Sequence, residues 1–418
     1  MKKIIIKGGA KLHGSINISG SKNACLPILA ATLLIEEKVT LHNVPLVRDI
    51  LTMVSLLESL GKSIKIKKNI LEIKSQKKKN FFAKYDLVKT MRAGILVIGP
   101  LLAKLNKAKV SLPGGCAIGA RPVDIHLDFL SKKGYQNKII NGYVVSKKKK
   151  LRKQLSYLFK KISVGATETA ILNSCLSNSE VRLKNIAIEP EVFDLINFLI
   201  SAGANIKSTS KRTLLIKGVN NLQGTEYNIM PDRIEAGTYM IASIITKSKI
   251  ILNNIFPDHI KNIIKVLKNG GIKFKFISDS SLKIFPNKPK PLKIKTVPYP
   301  GFPTDMQAQL MSLLTLTKGS SEITEDIFEN RFLHVLELQR MGATIEIQNN
   351  KAKITGVESL SGAEVMATDL RASVCLVLAG LVAKGETVIN RIYHLERGYE
   401  NLVGKLKKCG AKIKIIDA

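Results

Sequence analysis

The chain has 418 residues, 45% hydrophobic and 23% charged, which suits two or three packed domains and excludes a disordered or collagen-like polymer. Its formal charge of +34 favours anionic partners, but Lys arrives with abundant Ile and Asn and much of it lies in solvated runs such as 77–79 and 147–150. The longest apolar run, 372–383, is shorter than the roughly 18 residues a membrane span needs, and the start at Met1-Lys2-Lys3 lacks a signal-peptide core, so a cytoplasmic protein without membrane insertion is expected.

In chain order one short pattern recurs six times, a polar residue, an apolar triplet, polar residues and a loop. The copies are Lys38-Val-Thr-Leu-His-Asn-Val44, Lys109-Val-Ser-Leu-Pro-Gly-Gly115, Glu180-Val-Arg-Leu-Lys-Asn-Ile186, Lys249-Ile-Ile-Leu-Asn-Asn-Ile255, Ser321-Glu-Ile-Thr-Glu-Asp-Ile327 and Glu386-Thr-Val-Ile-Asn-Arg-Ile392. Their last positions differ by 71, 71, 69, 72 and 65, a repeat of about 70 residues. An apolar helix-length segment precedes each copy, for example 24–34, 93–102, 236–245 and 372–383. A second helical stretch follows and ends at Gly61, Gly134, Gly203, Gly271, Gly342 or Gly410, where Gly suits a helix C-cap. Alternating stretches such as Ser63-Ile-Lys-Ile-Lys and Thr344-Ile-Glu-Ile then predict half-exposed strands.

Each unit therefore reads strand, helix, strand, helix and two strands, with helices inside and sheets outside. Six units exceed one core, so they divide three and three near 224–231. The N-terminal segment, with strands at 3–6 and 11–18, is expected to complete the last unit.

Residues of unusual chemistry fall in two equivalent places. Near helix starts lie Lys22, Asn23, Arg92, Ser163, Val164, Gly165, Asp232, Arg233, Asp305, Asp369 and Arg371; in loops after the repeated strand lie Arg48, Cys116, Arg121, Arg331 and Arg397. Helix N-termini attract anions, and neighbouring Lys or Arg strengthens that, so a polyanionic substrate fits. The competing reading is that Asp232, Asp305 and Asp369 cap their helices and the arginines pair with them. The Gly-rich loop Leu112-Pro-Gly-Gly-Cys-Ala-Ile-Gly-Ala-Arg-Pro-Val-Asp-Ile-His126 places a thiol among cations that lower its pKa, suited to proton transfer or nucleophilic attack. Cys25, Cys175 and Cys375 lie instead in apolar runs and read as inert. With Cys116 and Cys409 they form no C-x-x-C pair, and the six His show no metal-ligand spacing. Phosphate-binding and dinucleotide fingerprints are missing from the sequence, so metal-free chemistry without a cofactor is expected. His126 and His394 stand near the arginine loops, as substrate contacts or as structural histidines.

The motifs Ser21-Lys-Asn-Ala24, Pro113-Gly-Gly-Cys-Ala-Ile-Gly-Ala-Arg-Pro122, Ser163-Val-Gly-Ala-Thr-Glu168, Pro231-Asp-Arg-Ile-Glu-Ala-Gly237, Gly301-Phe-Pro-Thr-Asp-Met-Gln-Ala308, Phe328-Glu-Asn-Arg331, Arg340-Met-Gly-Ala343, Asp369-Leu-Arg-Ala-Ser373 and Arg397-Gly-Tyr-Glu400 resemble those of the enolpyruvyl transferases, the branch acting on UDP-N-acetylglucosamine. The resemblance spans essentially the whole chain. It implies an α/β fold of two inside-out α/β barrel domains, each of three β-α-β-α-β-β repeats: residues 22–229, carrying the Cys loop, and 1–21 with 230–418.

The resemblance further implies transfer of the enolpyruvyl group of phosphoenolpyruvate to the sugar 3'-hydroxyl with release of phosphate, the first committed step of peptidoglycan precursor synthesis. Cys116 would protonate C3 and Asp305 would take the hydroxyl proton. Lys22, Asn23, Arg121, Arg331, Arg371 and Arg397 would hold phosphoenolpyruvate. Asn23, Arg92, Arg121, Pro122, Val123, Asp124, Ile125, Lys161, Ser163, Val164, Asp305 and Ile327 would hold the nucleotide sugar, whose binding would draw the Cys loop over a closing cleft. Thr169, Leu336 and Glu396 depart from the family pattern, the first two with scope to alter packing. The alternatives are a 5-enolpyruvylshikimate-3-phosphate synthase, disfavoured by the Cys loop and the 231–237 segment, and an RNA-binding protein on the same scaffold. No specific nucleic-acid partner is expected, and the oligomeric state is open.

Overall fold

The computed structural model describes residues 2–114 and 123–417, so Cys116, Arg121 and Pro122, expected in the site, lie outside the described residues. The described strands form six four-stranded sheets, each hydrogen-bonded internally and each built on the same plan. In the third repeat the leading strand Gln154–Leu158 runs parallel to Glu180–Lys184, which pairs antiparallel with Thr213–Lys217, and that with Asn205–Ser210. The second repeat orders Phe82–Ala83, Lys107–Ser111, Tyr143–Lys148 and Tyr135–Ile140 the same way, and the fifth does so with Lys293–Thr296, Ser320–Glu325, Lys351–Thr355 and Thr344–Gln348.

Three repeats borrow a strand. The first repeat takes as its leader Glu226–Asn228, from the far end of the third, and the fourth takes Ser15–Asn17. Lys2–Lys7 fills the third place of the last sheet, between Glu386–Asn390 and Lys412–Asp417. The N-terminal segment therefore completes the last unit only in part, because its second strand belongs to the fourth repeat.

The described residues pack into two compact units, one running from Gly20 to Met230, the other taking the segment up to Ser19 and the chain from Pro231 onward. Ser19 is anchored in its unit by Glu235 Oε2, which accepts its N–H at 2.7 Å, and by Glu400 Oε2, which accepts its hydroxyl at 2.6 Å. In each unit the first helices of the repeats are mostly buried. These are Lys22–Ala31, Ile98–Leu105 and Val164–Ser174, then Arg233–Ile245, Gln307–Leu314 and Leu370–Gly380. Several pack on the middle strands of their own sheet, as Val164–Ser174 does on Glu180–Lys184 and Thr213–Lys217. Helices apolar all round occupy the interior, and the sheets outside them keep one face in water. Among the described residues no helix is long and apolar enough to cross a membrane.

The six glycines after the second helices all take positive φ, between +84° and +115°. Gly134 is the most constrained, because a Cβ there would stand 1.9 Å from the Lys150 carbonyl oxygen. The repeated motif holds a second left-handed position, at Asn43, Asn185, Asn254 and Arg391. In three repeats this Asn amide donates to the carbonyl just after the leading strand: Asn43 to Ile229 (2.9 Å), Asn185 to Phe159 (2.9 Å) and Asn254 to Ile18 (2.7 Å). Asn tolerates the left-handed conformation, and here it also latches the leading strand to the sheet.

Candidate active site

In the unit from Gly20 to Met230 the predicted residues gather at helix starts. Ser21 caps Lys22–Ala31 by accepting the Ala24 N–H, placing Lys22 and Asn23 in the first turn. Lys22 Nζ lies 2.7 Å from Asp49 Oδ2, and both side chains are nearly shielded. The sequence had singled out Arg48 beside it; the structure leaves Arg48 exposed and puts Asp49 in contact with the site. Arg92 begins the 3-10 turn Arg92–Val97, which packs against both Lys22–Ala31 and Val164–Ser174. Ser163 caps the latter helix through the Ala166 N–H, with Val164 and Gly165 in its first turn and exposed Lys161 just before it.

Val123, Asp124 and Ile125 open the helix Asp124–Lys133, with Val123 at its cap position. One turn in, buried His126 packs its Nε2 so close to Gly165 that a Cβ there would approach to 3.1 Å. Burial, reinforced by the Arg92 charge and opposed by Asp124, lowers the His126 pKa to about 4. The imidazole is thus neutral near pH 7, and the helix starts and Arg92 supply the positive field. Glu168, wholly buried in the helix Val164–Ser174, is pushed well above the carboxylate range by burial and by Glu191 and Glu189. Burial also raises the thiols of Cys25, Cys175 and Cys375, that of Cys175 to about 12, so these three are inert as expected.

In the other unit two aspartates are helix caps. Asp232 accepts the Ile234 and Glu235 N–H groups, and Asp369 those of Arg371 and Ala372. Asp305 is different. It sits in the 3-10 turn Thr304–Met306 before Gln307–Leu314 and makes no side-chain cap. Its Oδ1 accepts from Arg331 Nη2 and its Oδ2 from Arg371 Nη2, each at 2.9 Å. The capping reading thus holds for Asp232 and Asp369, whereas for Asp305 only its arginine pairing holds.

Both guanidiniums are buried, and Asp305 retains 28% of its side-chain exposure. Burial, the largest single influence, would lower the Arg371 pKa, but the charge and hydrogen bond of Asp305 together with Tyr399 and Asp232 outweigh it and raise it. Arg371 Nη1 also donates to Tyr399 Oη at 3.1 Å, and Gln309 Nε2 reaches Tyr399 Oη and Thr238 Oγ1, each at 3.2 Å. Asp305 therefore stands on a fixed polar frame with one side open to water. Ile327 is held nearby in sequence by Glu325, whose Oε1 accepts its N–H at 2.8 Å while Oε2 accepts the Thr304 hydroxyl at 2.9 Å. Arg397 ends the 3-10 turn Ile392–Arg397; burial first, then its charge, lowers the pKa of half-buried His394. Wholly buried His334 is lowered to about 4 by burial, with Asp369 opposing and Arg331 adding to the shift.

Sequence reading missed Asp49 and Tyr399, which touch Lys22 and Arg371 from 27 and 28 residues away, and Glu325 and Gln309, which touch Ile327 and Asp305 from within the same turn of chain. Tyr399 and Glu325 lie inside or beside quoted motifs, the only signal available. Of the departures, Leu336 is 69% exposed and has no packing to disturb, whereas Thr169 is fully buried.

The family model for EPSP synthase (3-phosphoshikimate 1-carboxyvinyltransferase) matches residues 6–406. Curated relatives named UDP-N-acetylglucosamine 1-carboxyvinyltransferase include that of Pelagibacter ubique, 57% identical over 417 residues covering all of both chains. That of Coxiella burnetii is 47% identical over all of this chain and 97% of its own, and that of Endomicrobium trichonymphae is 49% identical over the whole of both. Among solved structures, the enolpyruvyl transferase NikO of Streptomyces tendae superposes with a TM-score of 0.90 at 21% identity, covering 100% of this chain and 99% of its own. An EPSP synthase from Acinetobacter baumannii gives 0.77 at 16% identity, covering all of both chains. The match at 57% identity over the full length selects one branch of this fold, and the chain belongs to the UDP-N-acetylglucosamine 1-carboxyvinyltransferase family of enolpyruvyl transferases.

Proposed function

We propose that the chain transfers the enolpyruvyl group of phosphoenolpyruvate to the 3'-hydroxyl of UDP-N-acetylglucosamine, in the cytoplasm, opening peptidoglycan precursor synthesis. The observation that carries this reading is the 57% identity over the full length to a relative of that name. The shikimate-3-phosphate reading is not favoured, because the relatives at 47–57% identity all carry the sugar enzyme's name.

The hydroxyl oxygen forms a bond to C2 while C3 gains a proton from Cys116. The resulting tetrahedral ketal loses phosphate and a C3 proton, restoring the enol ether. Asp305 takes the hydroxyl proton on the side of its carboxylate that stays exposed, while Arg331 and Arg371 hold its orientation. Lys22, Asn23, Arg121, Arg331, Arg371 and Arg397 supply charge for the phosphate and carboxylate. Asn23, Arg92, the stretch 121–125, Lys161, Ser163, Val164, Asp305 and Ile327 receive the nucleotide sugar, its diphosphate suited to the helix starts near Arg92.

The test is phosphate release from phosphoenolpyruvate in metal-free buffer, with UDP-N-acetylglucosamine, with shikimate-3-phosphate or with no acceptor, for wild type and Cys116→Ala. Release that requires the nucleotide sugar and is lost in the variant is expected. Release with shikimate-3-phosphate alone, or none from folded wild type, overturns the assignment.

A further inference from the structure

Six sheets on one plan allow their water-facing sides to be compared. Four balance their lysines with carboxylates: Lys38 meets Glu72 (3.0 Å), Lys217 meets Glu180 (3.3 Å), Lys351 meets Glu322 (3.8 Å) and Lys3 meets Glu364 (3.6 Å). The strands of the second and fourth repeats contain no Asp or Glu. In the second, the outward positions of the inner strands set Lys107 directly opposite Lys147, and Lys109 lies one row on, level with Val145 and Lys138. Like charges directly opposed destabilise a sheet, and here no carboxylate offsets the cost, whereas Lys7 opposite Lys412 in the last sheet also faces Glu386. Random lysine enrichment would not by itself remove the carboxylates.

Aromatic rings stand on the same face. Lys107 Nζ lies 4.3 Å from the Phe81 ring centre, and Lys109 Nζ lies 4.6 Å from Phe82 and 5.0 Å from Tyr143. Phe82 and Tyr143 are themselves 5.4 Å apart, and all three rings are half-buried. Because the rings are half-buried, little apolar surface protrudes to insert into a bilayer. Each ammonium puts a phosphate-binding cation within one nucleotide's reach of a stacking surface, the combination that binds single strands without base-sequence preference. The fourth repeat's face has the opposed lysines, Lys275 and Lys283, but only one ring, Phe285, under a lysine, at 5.6 Å.

We propose that the outer face of the second repeat's sheet, through Lys107, Lys109, Lys138 and Lys147 with Phe82 and Tyr143, binds single-stranded nucleic acid. This activity is separate from enolpyruvyl transfer and uses none of its residues.

The test is fluorescence anisotropy of a labelled oligouridylate titrated with the full chain at about 0.15 M salt. Saturable binding is expected, with log affinity against log salt falling at a slope of about −3 for four phosphate contacts. Lys109→Gln with Lys147→Gln should weaken binding at least tenfold and flatten the slope by about 1.4. Phe82→Leu with Tyr143→Leu should weaken it about fivefold or more at unchanged slope. Lys275→Gln with Lys283→Gln, on the fourth repeat, should leave affinity within twofold, and phosphate release should persist in all variants. Four results overturn the proposal. They are no binding at that salt, equal loss from the fourth-repeat pair, equal affinity for the duplexed oligonucleotide, and capture by phosphatidylserine vesicles without binding of the oligonucleotide.

Discussion

In the unit from Gly20 to Met230 the starts of the inner helices, or of the turns leading into them, carry Lys22, Arg92 and Ser163; in the other unit they carry Asp232, Asp305 and Asp369. Position by position, the caps are Ser21, Met91 and Ser163 in the first unit against Asp232, Pro303 and Asp369 in the second, so two hydroxyl caps are answered by two carboxylate caps. Lys22 and Arg92 follow their caps directly, and Asp305 lies one residue further in. The first set adds positive charge to the helix starts, as an anion requires. In the second set Asp232 and Asp369 cap their helices, whereas Asp305 is held by Arg331 and Arg371. The scaffold fixes where chemistry stands, and the residue in the slot decides which chemistry it is.

Two substitutions sharpen the contrast most. Lys22→Met strips a cation from Asp49, whose side chain is only 5% exposed, and is expected to cost about 3 kcal/mol in urea unfolding. Arg371→Met should cost less, because Asp305 is 28% exposed and keeps Arg331. The reverse order would mean that the arginine frame, not the lysine pair, is the more desolvated half.

The two units also share a device, a neutral buried histidine beside a site arginine: His126 near Arg92 and His334 near Arg331. Each has a folded pKa lowered from 6.5 to about 4, so the unfolded state binds the extra proton between those values. Their stabilising contribution is complete above pH 6.5 and is lost as pH falls toward 4, at most about 3 kcal/mol each. Thermal melts of His126→Gln and His334→Gln should each show a shallower loss over that window; a slope unchanged in both would refute the assignment.

The glycines at helix ends separate steric from conformational cost. Gly134→Ala should lower stability by more than 2 kcal/mol, since the methyl meets the Lys150 carbonyl, whereas Gly342→Ala, with open space around it, should cost only about 1 kcal/mol for its positive φ. Smallest is the latch: Asn185→Gly keeps the left-handed backbone and removes the bond to Phe159, for about 1 kcal/mol by differential unfolding.

What the sequence disclosed follows from what is local. The strand triplets, the buried helices and the six terminal glycines repeat at a fixed spacing and are legible without contacts. The latch asparagines lay in plain view inside the repeated motif, but their role depends on the carbonyl after a leading strand, which for Asn43 is 186 residues away. Asp49 and Tyr399 were missed for the same reason, since only the fold brings them to Lys22 and Arg371, and Gln309 because only the fold brings it to Tyr399. Asp305 shows the limit most clearly. Its position before a helix reads equally as a cap or as a base, and only the two guanidiniums separate the readings.

The most direct measurement compares wild type with Asp305→Asn in phosphate release under saturating substrates, alongside calorimetric binding of UDP-N-acetylglucosamine. A fall in kcat of about 10²–10⁴ with nucleotide-sugar affinity kept within about tenfold is the result predicted for a residue that takes the hydroxyl proton. Turnover near wild type in the folded variant would contradict it, and Asp305 would then serve only to hold Arg331 and Arg371 in place.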